Sequence, residues 1–406
     1  MSSTLRHVWV GYLLVFALIN QPSSARAQSP TIDGMLDADF YGAARSVQDT
    51  PTSFGDATNG NIRFAIGGSE LDAAYARISD GTLFLFLAGN LETGGQGLQW
   101  PAGNPNRFDL FIDSIPGGQN SLRGDNADVD GNGLNRMGHL NPANDGLKFD
   151  TGVEHDFFLT FYNYTVVQDF GPGYGLREIW RGQLSYASLP TGGGGTGLVI
   201  GTAADTFPNS YPDSFTLSQG VRLGFRNSNT NGVTGTGAAV PSAAGAANVT
   251  SGLELAIPLA LLDGANGELN AEILITAFVN DSAHGYLSNQ TLGPMGQPSG
   301  SYGNLAEPRV FDFSQSYSPG AQYFTVANPY PSTRLILAPT ALGDGSISNR
   351  WIAEVGAEYV LQYTTNLVTG PWTNVSGIVT AASAMASLVD TNASAPLLFY
   401  RMARLP

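Results

Sequence analysis

Arg107-Phe108-Asp109-Leu110-Phe111-Ile112-Asp113 sets Phe108, Leu110 and Ile112 against Asp109, Phe111 and Asp113. That is the two-residue period of a strand with one face turned inward. The strand leads into Gly124-Asp125-Asn126-Ala127-Asp128-Val129-Asp130-Gly131-Asn132-Gly133-Leu134-Asn135. Short carboxylate and amide side chains set among glycines suit a hard cation, because glycine lets the backbone curl while oxygens converge. Calcium is the expected ion, with Asp125, Asp128, Asp130 and Asn132 as ligands. Asp128, Asp130, Asn132 and Gly133 match the first, third, fifth and sixth positions of an EF-hand loop. His139 stands at the twelfth, where a bidentate Glu belongs, so a helix-loop-helix site is not expected. An irregular calcium loop completed by Asp113, Asp145 or Asp150 is one reading. A solvated loop whose Asp and Asn side chains only form turns is the other.

Similar strands recur at Asp72 to Ile78, Thr82 to Leu87, Phe157 to Val167, Val221 to Phe225, Gly252 to Ile257 and Glu272 to Val279. Turn formers such as Ser79-Asp80-Gly81 and Gly171-Pro172-Gly173 separate them. With 51 Gly and only 13% charged residues, the chain favours short strands over long helices. Asp37 to Ala44 and Pro258 to Leu262 are the two helical pieces expected. Thr191 to Gly197 and Gly235 to Gly252 read as flexible surface loops. The texture changes at Asn328-Pro329-Tyr330-Pro331, which divides residues 28–330 from a shorter unit, 331–406.

Residues 1–27 have the layout of a secretory leader: Arg6 and His7, the apolar run Val8 to Ile19, then Ala25-Arg26-Ala27 before Gln28. The run is shorter than the roughly 20 residues a membrane-spanning helix needs, so a secreted or cell-surface protein with no transmembrane segment is expected. Losing the leader removes Arg6 and Arg26 and no acid. Lys+Arg falls from 18 to 16 against 33 Asp+Glu, and the formal charge moves from −15 to −17. That surface disfavours nucleic acid as a partner. The chain has no cysteine, which excludes disulfides, thiolate metal sites and cysteine nucleophiles.

Thr31-Ile32-Asp33-Gly34-Met35-Leu36-Asp37 and Glu254-Leu255-Ala256-Ile257-Pro258-Leu259 resemble the opening and the strand-to-helix step of sandwiches related to carbohydrate-binding module family nine and DOMON-type domains. Gly68 to Ala76, Leu83 to Glu92, Phe111 to Asn120, Ser288 to Gly293 and Gln322 to Val326 resemble a group of uncharacterised exported bacterial proteins. In the tail, Leu361 to Leu367, Pro371-Trp372 and Phe399-Tyr400-Arg401 are similar to small fibronectin type III-like sandwiches. Those units usually act as spacers or sorting modules. The resemblance implies an all-β chain: a large antiparallel, jelly-roll-like β-sandwich followed by a small fibronectin type III-like one.

Sugar binding calls for exposed planar aromatics beside polar groups. Trp100 and Trp180 sit in loop-like settings and are the expected ligand-binding residues, whereas Trp351 and Trp372 read as tail core. Asp109 and Asp113 would stand about 13 Å apart on one strand face, too far for a paired-carboxylate glycosidase centre. Glu154-His155-Asp156 suits either a metal-binding or proton-moving cluster or a plain strand-opening turn. Gly192 to Gly195 lacks the lysine of a phosphate loop. No catalytic residue is therefore assigned. The expectation is a non-enzymatic exported protein that binds an extracellular polysaccharide or cell-surface polymer. A self-assembling envelope or matrix protein is the alternative, and a glycoside hydrolase or lyase using Glu154 and Asp156 comes after it.

Overall fold

The computed structural model describes residues 29–48, 59–60, 62–66, 68–95, 106–131, 133–139, 146–206, 212–230, 243–264, 269–295, 305, 307–315, 320–329, 340–342, 344–352, 356, 358–366, 371–382, 385–393 and 398–404. Residues 1–27, read above as a secretory leader, lie outside them, as do Trp100, Asn132 and Asp145. The chain is all-β, with short helices between strands. No described helix is long and apolar enough to cross a membrane.

The strand Arg107–Asp113 runs between Glu272–Asn280 and Phe157–Asp169, antiparallel to both. Leu287–Leu292 and Phe324–Ala327 join that sheet through Glu272–Asn280, while Leu176–Ser188 and Gly197–Ala204 extend its other side. The facing six-stranded sheet runs Ser46–Val47, Glu70–Ser79, Thr82–Asn90, Gly252–Pro258, Arg222–Phe225, Ser214–Thr216, with each strand antiparallel to its neighbours. All seven strands read from alternation are present, and their residues build one core between the sheets: Leu83, Leu85 and Leu87 meet Phe108, Leu110, Ile112, Leu159 and Phe161. The helical readings shrink to Ala38–Tyr41 and a 3₁₀ turn at Leu259–Leu261.

The expectation of one solvated face does not hold for Arg107–Asp113, which is buried from Phe108 to Asp113. Phe111 and Phe158 point away from the inter-sheet core into a second one, built with Leu122, Leu134, Met137, Leu147, Phe149 and Phe313 from loops laid over the sheet. Phe111 packs on Phe149 and Phe158 at 4.8 and 4.9 Å between centroids. Each fully buried phenylalanine of this kind contributes about 2–3 kcal/mol. The outer face of the six-stranded sheet is covered too, where Ile32, Phe40 and Tyr41 pack on Tyr75, Phe84 and Phe86.

Glu254 fastens that cover. Its side chain accepts from the Asp33 amide at 2.9 Å, the Gly34 amide at 3.1 Å and the Tyr41 hydroxyl at 2.8 Å. Gly34 holds φ +77° and lies so close to Arg226 N that a Cβ would stand 2.6 Å from it. The two stretches read above as an opening motif and a strand-to-helix motif are thus halves of one contact. The sandwich edges are drawn together as well: Gln48 Nε2 donates to Thr291 O, Leu71 N to Gln290, and Ser218 Oγ to Ile200 O.

In the tail, Thr340–Ala341, Ile347–Ile352 and Met385–Asp390 form one sheet. Glu358–Thr364 pairs with Thr373–Asn374, Val379–Thr380 and Phe399–Arg404 in another. Trp351, Tyr359, Leu361 and Met402 supply its core. Trp372 departs from the core expectation, being half-buried beneath the Arg401 guanidinium at 4.4 Å.

Candidate functional site

The acidic loop lies on the outer face of the seven-stranded sheet, and its expected ligands are divided among protein partners. Asp125 is exposed and paired through both oxygens with Arg123, at 2.9 and 2.7 Å. Asp128 Oδ1 accepts from Asp130 N at 3.3 Å, a turn contact. Asp130 turns inward, with Oδ1 accepting from Leu134 N at 3.1 Å at the start of the short helix Gly133–Met137. Asn132 lies outside the described residues. Of the residues named to complete a shell, Asp113 and Asp150 are engaged elsewhere, Asp150 Oδ2 accepting from Gln322 N at 2.8 Å. Among the described residues no three His, Asp or Glu side chains form a group that could hold a metal ion.

The glycine-rich stretch after Thr191, expected as a free surface loop, is paired to the acidic one. Gly194 N donates to Asp125 O at 2.9 Å and Ala127 N to Gly194 O at 3.0 Å. Beneath the loop, His284 Nε2 lies 3.0 Å from Asp109 Oδ1 and 3.4 Å from Asp130 Oδ2, with all three side chains fully buried. Asn280 Nδ2 donates to the other oxygen of Asp109 at 3.1 Å. His284 takes φ +54° to reach this point, and Gly133 is bare because a Cβ there would sit 2.0 Å from the imidazole Nδ1. An acid from the loop and an acid from the strand therefore converge on one imidazole and tie the loop to the sheet.

Trp180 is not in a loop. It lies on Leu176–Ser188, is 1% exposed, and faces the other sheet. Phe225 stacks on the indole at 5.8 Å and 12°, and the Arg63 guanidinium lies 4.9 Å from its centroid. No flat face is left for a sugar, so the ligand-binding expectation does not carry over to this residue. Trp100 lies outside the described residues.

The aromatic surface lies on the opposite side of the same two strands. Alternation that sends Phe161, Trp180, Leu184 and Tyr186 into the core sends Tyr162, Tyr164, Arg181 and Gln183 outward. Tyr162 and Tyr164 are half-buried and stack side by side at 5.5 Å and 25°. Arg107 braces Tyr162 with its guanidinium 4.3 Å from the ring, and its Nε donates to Ser282 O at 2.9 Å. Register places Arg181 opposite Tyr164 and Gln183 opposite Tyr162, with Thr202 exposed on the next strand. The arrangement is a ledge of two planar faces bordered by amide, guanidinium and hydroxyl donors.

Glu154, His155 and Asp156 do not act as a unit. His155 is fully buried, its ring edge-on to Phe149 at 4.4 Å and its Nε2 3.0 Å from Thr276 Oγ1. Burial pushes it down to about 3. Glu154 is exposed, while Asp156 is buried and accepts from Ser114 N and Ile115 N at 2.9 and 3.0 Å. Asp156 fixes the turn after the Arg107–Asp113 strand, and Asp113 in turn accepts from Glu154 N and Asn270 Nδ2.

Burial raises three carboxyls, Asp156 and Glu254 to about 7 each and Asp113 to about 6, and all three also feel neighbouring acids. A carboxyl raised on folding binds its proton more tightly in the folded chain. Its contribution is complete below the unfolded value near 4 and is lost as the pH rises through 6 to 7. The thermal midpoint is therefore expected to be higher near pH 5 than at pH 8. Glu254→Gln is expected to flatten part of that slope, read by melting curves across the range. A midpoint that climbs toward pH 8 would contradict the assignment.

No family model matches the chain, and no curated protein matches it.

Proposed function

We propose that this is a non-enzymatic extracytoplasmic protein that binds a polysaccharide, with the sandwich holding the ligand and the tail unit spacing it. The observation that carries the reading is the tyrosine ledge: two adjacent half-exposed rings on a rigid sheet, bordered by Arg181, Gln183 and Thr202. Sugars present flat C–H faces to aromatic rings and hydroxyls to surrounding donors, so this pairing of surfaces suits them. Sheet-borne rings also lose little freedom on binding. The resemblance to carbohydrate-binding sandwiches agrees with the reading. Glu154 on the surface and the buried His155 and Asp156, each held by a different partner, do not converge and give no support to hydrolysis.

The test is retention on a panel of insoluble and soluble polysaccharides. Tyr164→Ala is expected to weaken binding about five- to thirtyfold, the usual cost of about 1–2 kcal/mol for an aromatic anchor. Its melting midpoint should stay near the parent's because the ring is only half-buried. Absence of retention on every polymer, or a Tyr164→Ala protein that binds as well as the parent, would overturn the reading.

A further inference from the structure

We infer that the ligand of the ledge is an acidic polysaccharide whose sugars carry carboxylates, a polyuronate. The inference rests on the proposed function and adds the chemical class of the ligand. It comes from where the acids are not. The chain carries 33 Asp+Glu against 18 Lys+Arg. Yet the outward positions of the ledge strands hold no carboxylate: Tyr162, Tyr164, Val166 and Gln168 on Phe157–Asp169 and Arg177, Arg181 and Gln183 on Leu176–Ser188, with Thr160, Ile179 and Ser185 buried, although Asp130 of the acidic loop still acts on Tyr162. On Gly197–Ala204, Val199, Thr202 and Ala204 continue the strip. The hairpin's own acids, Asp169 and Glu178, fall at positions of the opposite parity.

The strip is not merely neutral. Arg177 and Arg181 stand four residues apart on one strand face, and Arg107 adds a third guanidinium at Tyr162. Several other arginines are paired with the protein's own acids: Arg63 with Asp205 in the interior, and Arg123 with Asp125, Arg136 with Glu307 and Arg226 with Asp213 nearer the surface. Among the described residues Arg181 makes no such pair. Guanidinium is the side chain best matched to a carboxylate, which it meets with two parallel hydrogen bonds. The net charge of the whole molecule opposes a polyanion at long range, but salt screens it beyond about 8 Å at physiological ionic strength. At contact, the local strip decides.

Polygalacturonate and its fully methyl-esterified form separate the two claims, because they share a backbone and differ in charge. The full-length protein is expected to bind the free acid at least tenfold more tightly than the ester. Arg181→Gln should weaken binding of the free acid severalfold more than binding of the ester, and Tyr164→Ala should weaken both to a similar extent. Alginate, a second polyuronate, should behave as the free acid does, against cellulose and mannan as neutral polymers. Equal or stronger retention on the ester or the neutral polymers would overturn the inference and leave the proposed function standing. Retention on none of them would overturn both. An Arg181→Gln protein that keeps the full preference for the acid would also sink the inference, since the guanidinium would then not be its source.

Discussion

Trp180→Ala is expected to lower the unfolding free energy by about 3–5 kcal/mol, the range for removing a large aromatic from a packed core. The indole is 1% exposed, and several neighbours depend on it. Phe225 stacks on one side and Phe215 stands 5.8 Å away. Its Nε1 donates to Asn163 Oδ1 at 3.3 Å, which also accepts from the Thr93 hydroxyl at 2.7 Å. Truncation would leave a cavity and loosen a buried polar network that links the two sheets. Urea denaturation followed by far-UV circular dichroism gives the value directly. A loss under about 1 kcal/mol would mean that the indole is not packed between the sheets.

Asp205→Ala is expected to cost about 3–5 kcal/mol as well, through a different cause. Arg63 and Asp205 are paired at 3.1 Å with side chains 1% and 4% exposed. Arg63 also donates to the carbonyls of Phe225 and Pro212. Removing the carboxylate strands a guanidinium that has no route to water. Replacing both partners together with apolar residues is expected to cost less than Asp205→Ala alone, because no uncompensated charge would remain. Arg63 lies against Trp180, so the Trp180 and Asp205 substitutions should not add. A double-mutant cycle is expected to show coupling of at least about 0.5 kcal/mol, and strict additivity would contradict the shared packing.

Alternation revealed the strands whose pattern is unbroken, such as Thr82–Asn90 and Glu272–Asn280. It failed on Leu176–Ser188 because Gly182 interrupts the inward series Trp180, Leu184, Tyr186. That glycine is there for space: a Cβ would lie 2.7 Å from the Trp180 ring and 3.0 Å from Phe161. The residue that makes room for the tryptophan thus hid the strand carrying it, and with it the outward row of the ledge. The acidic loop was visible as turn chemistry, but its anchor was not. His284 lies 175 positions from Asp109, and no local spacing announces that an imidazole will sit between two buried acids. The second core was hidden for a related reason. Phe111 between two aspartates reads as an exposed position until Phe149 and Phe313, far along the chain, are laid over it.

The Glu254 contact joins residues 221 apart. At ribosomal speeds of about 5–20 residues per second, about 10–45 s separate the synthesis of its two halves. For most of that interval Tyr75, Phe84 and Phe86 are already made, but the strand that completes their sheet is not. Until Glu254 is made, those apolar side chains lack the strand and the cap that bury them in the finished fold. Long-range pairings of this kind also make refolding slow once the complete chain is released.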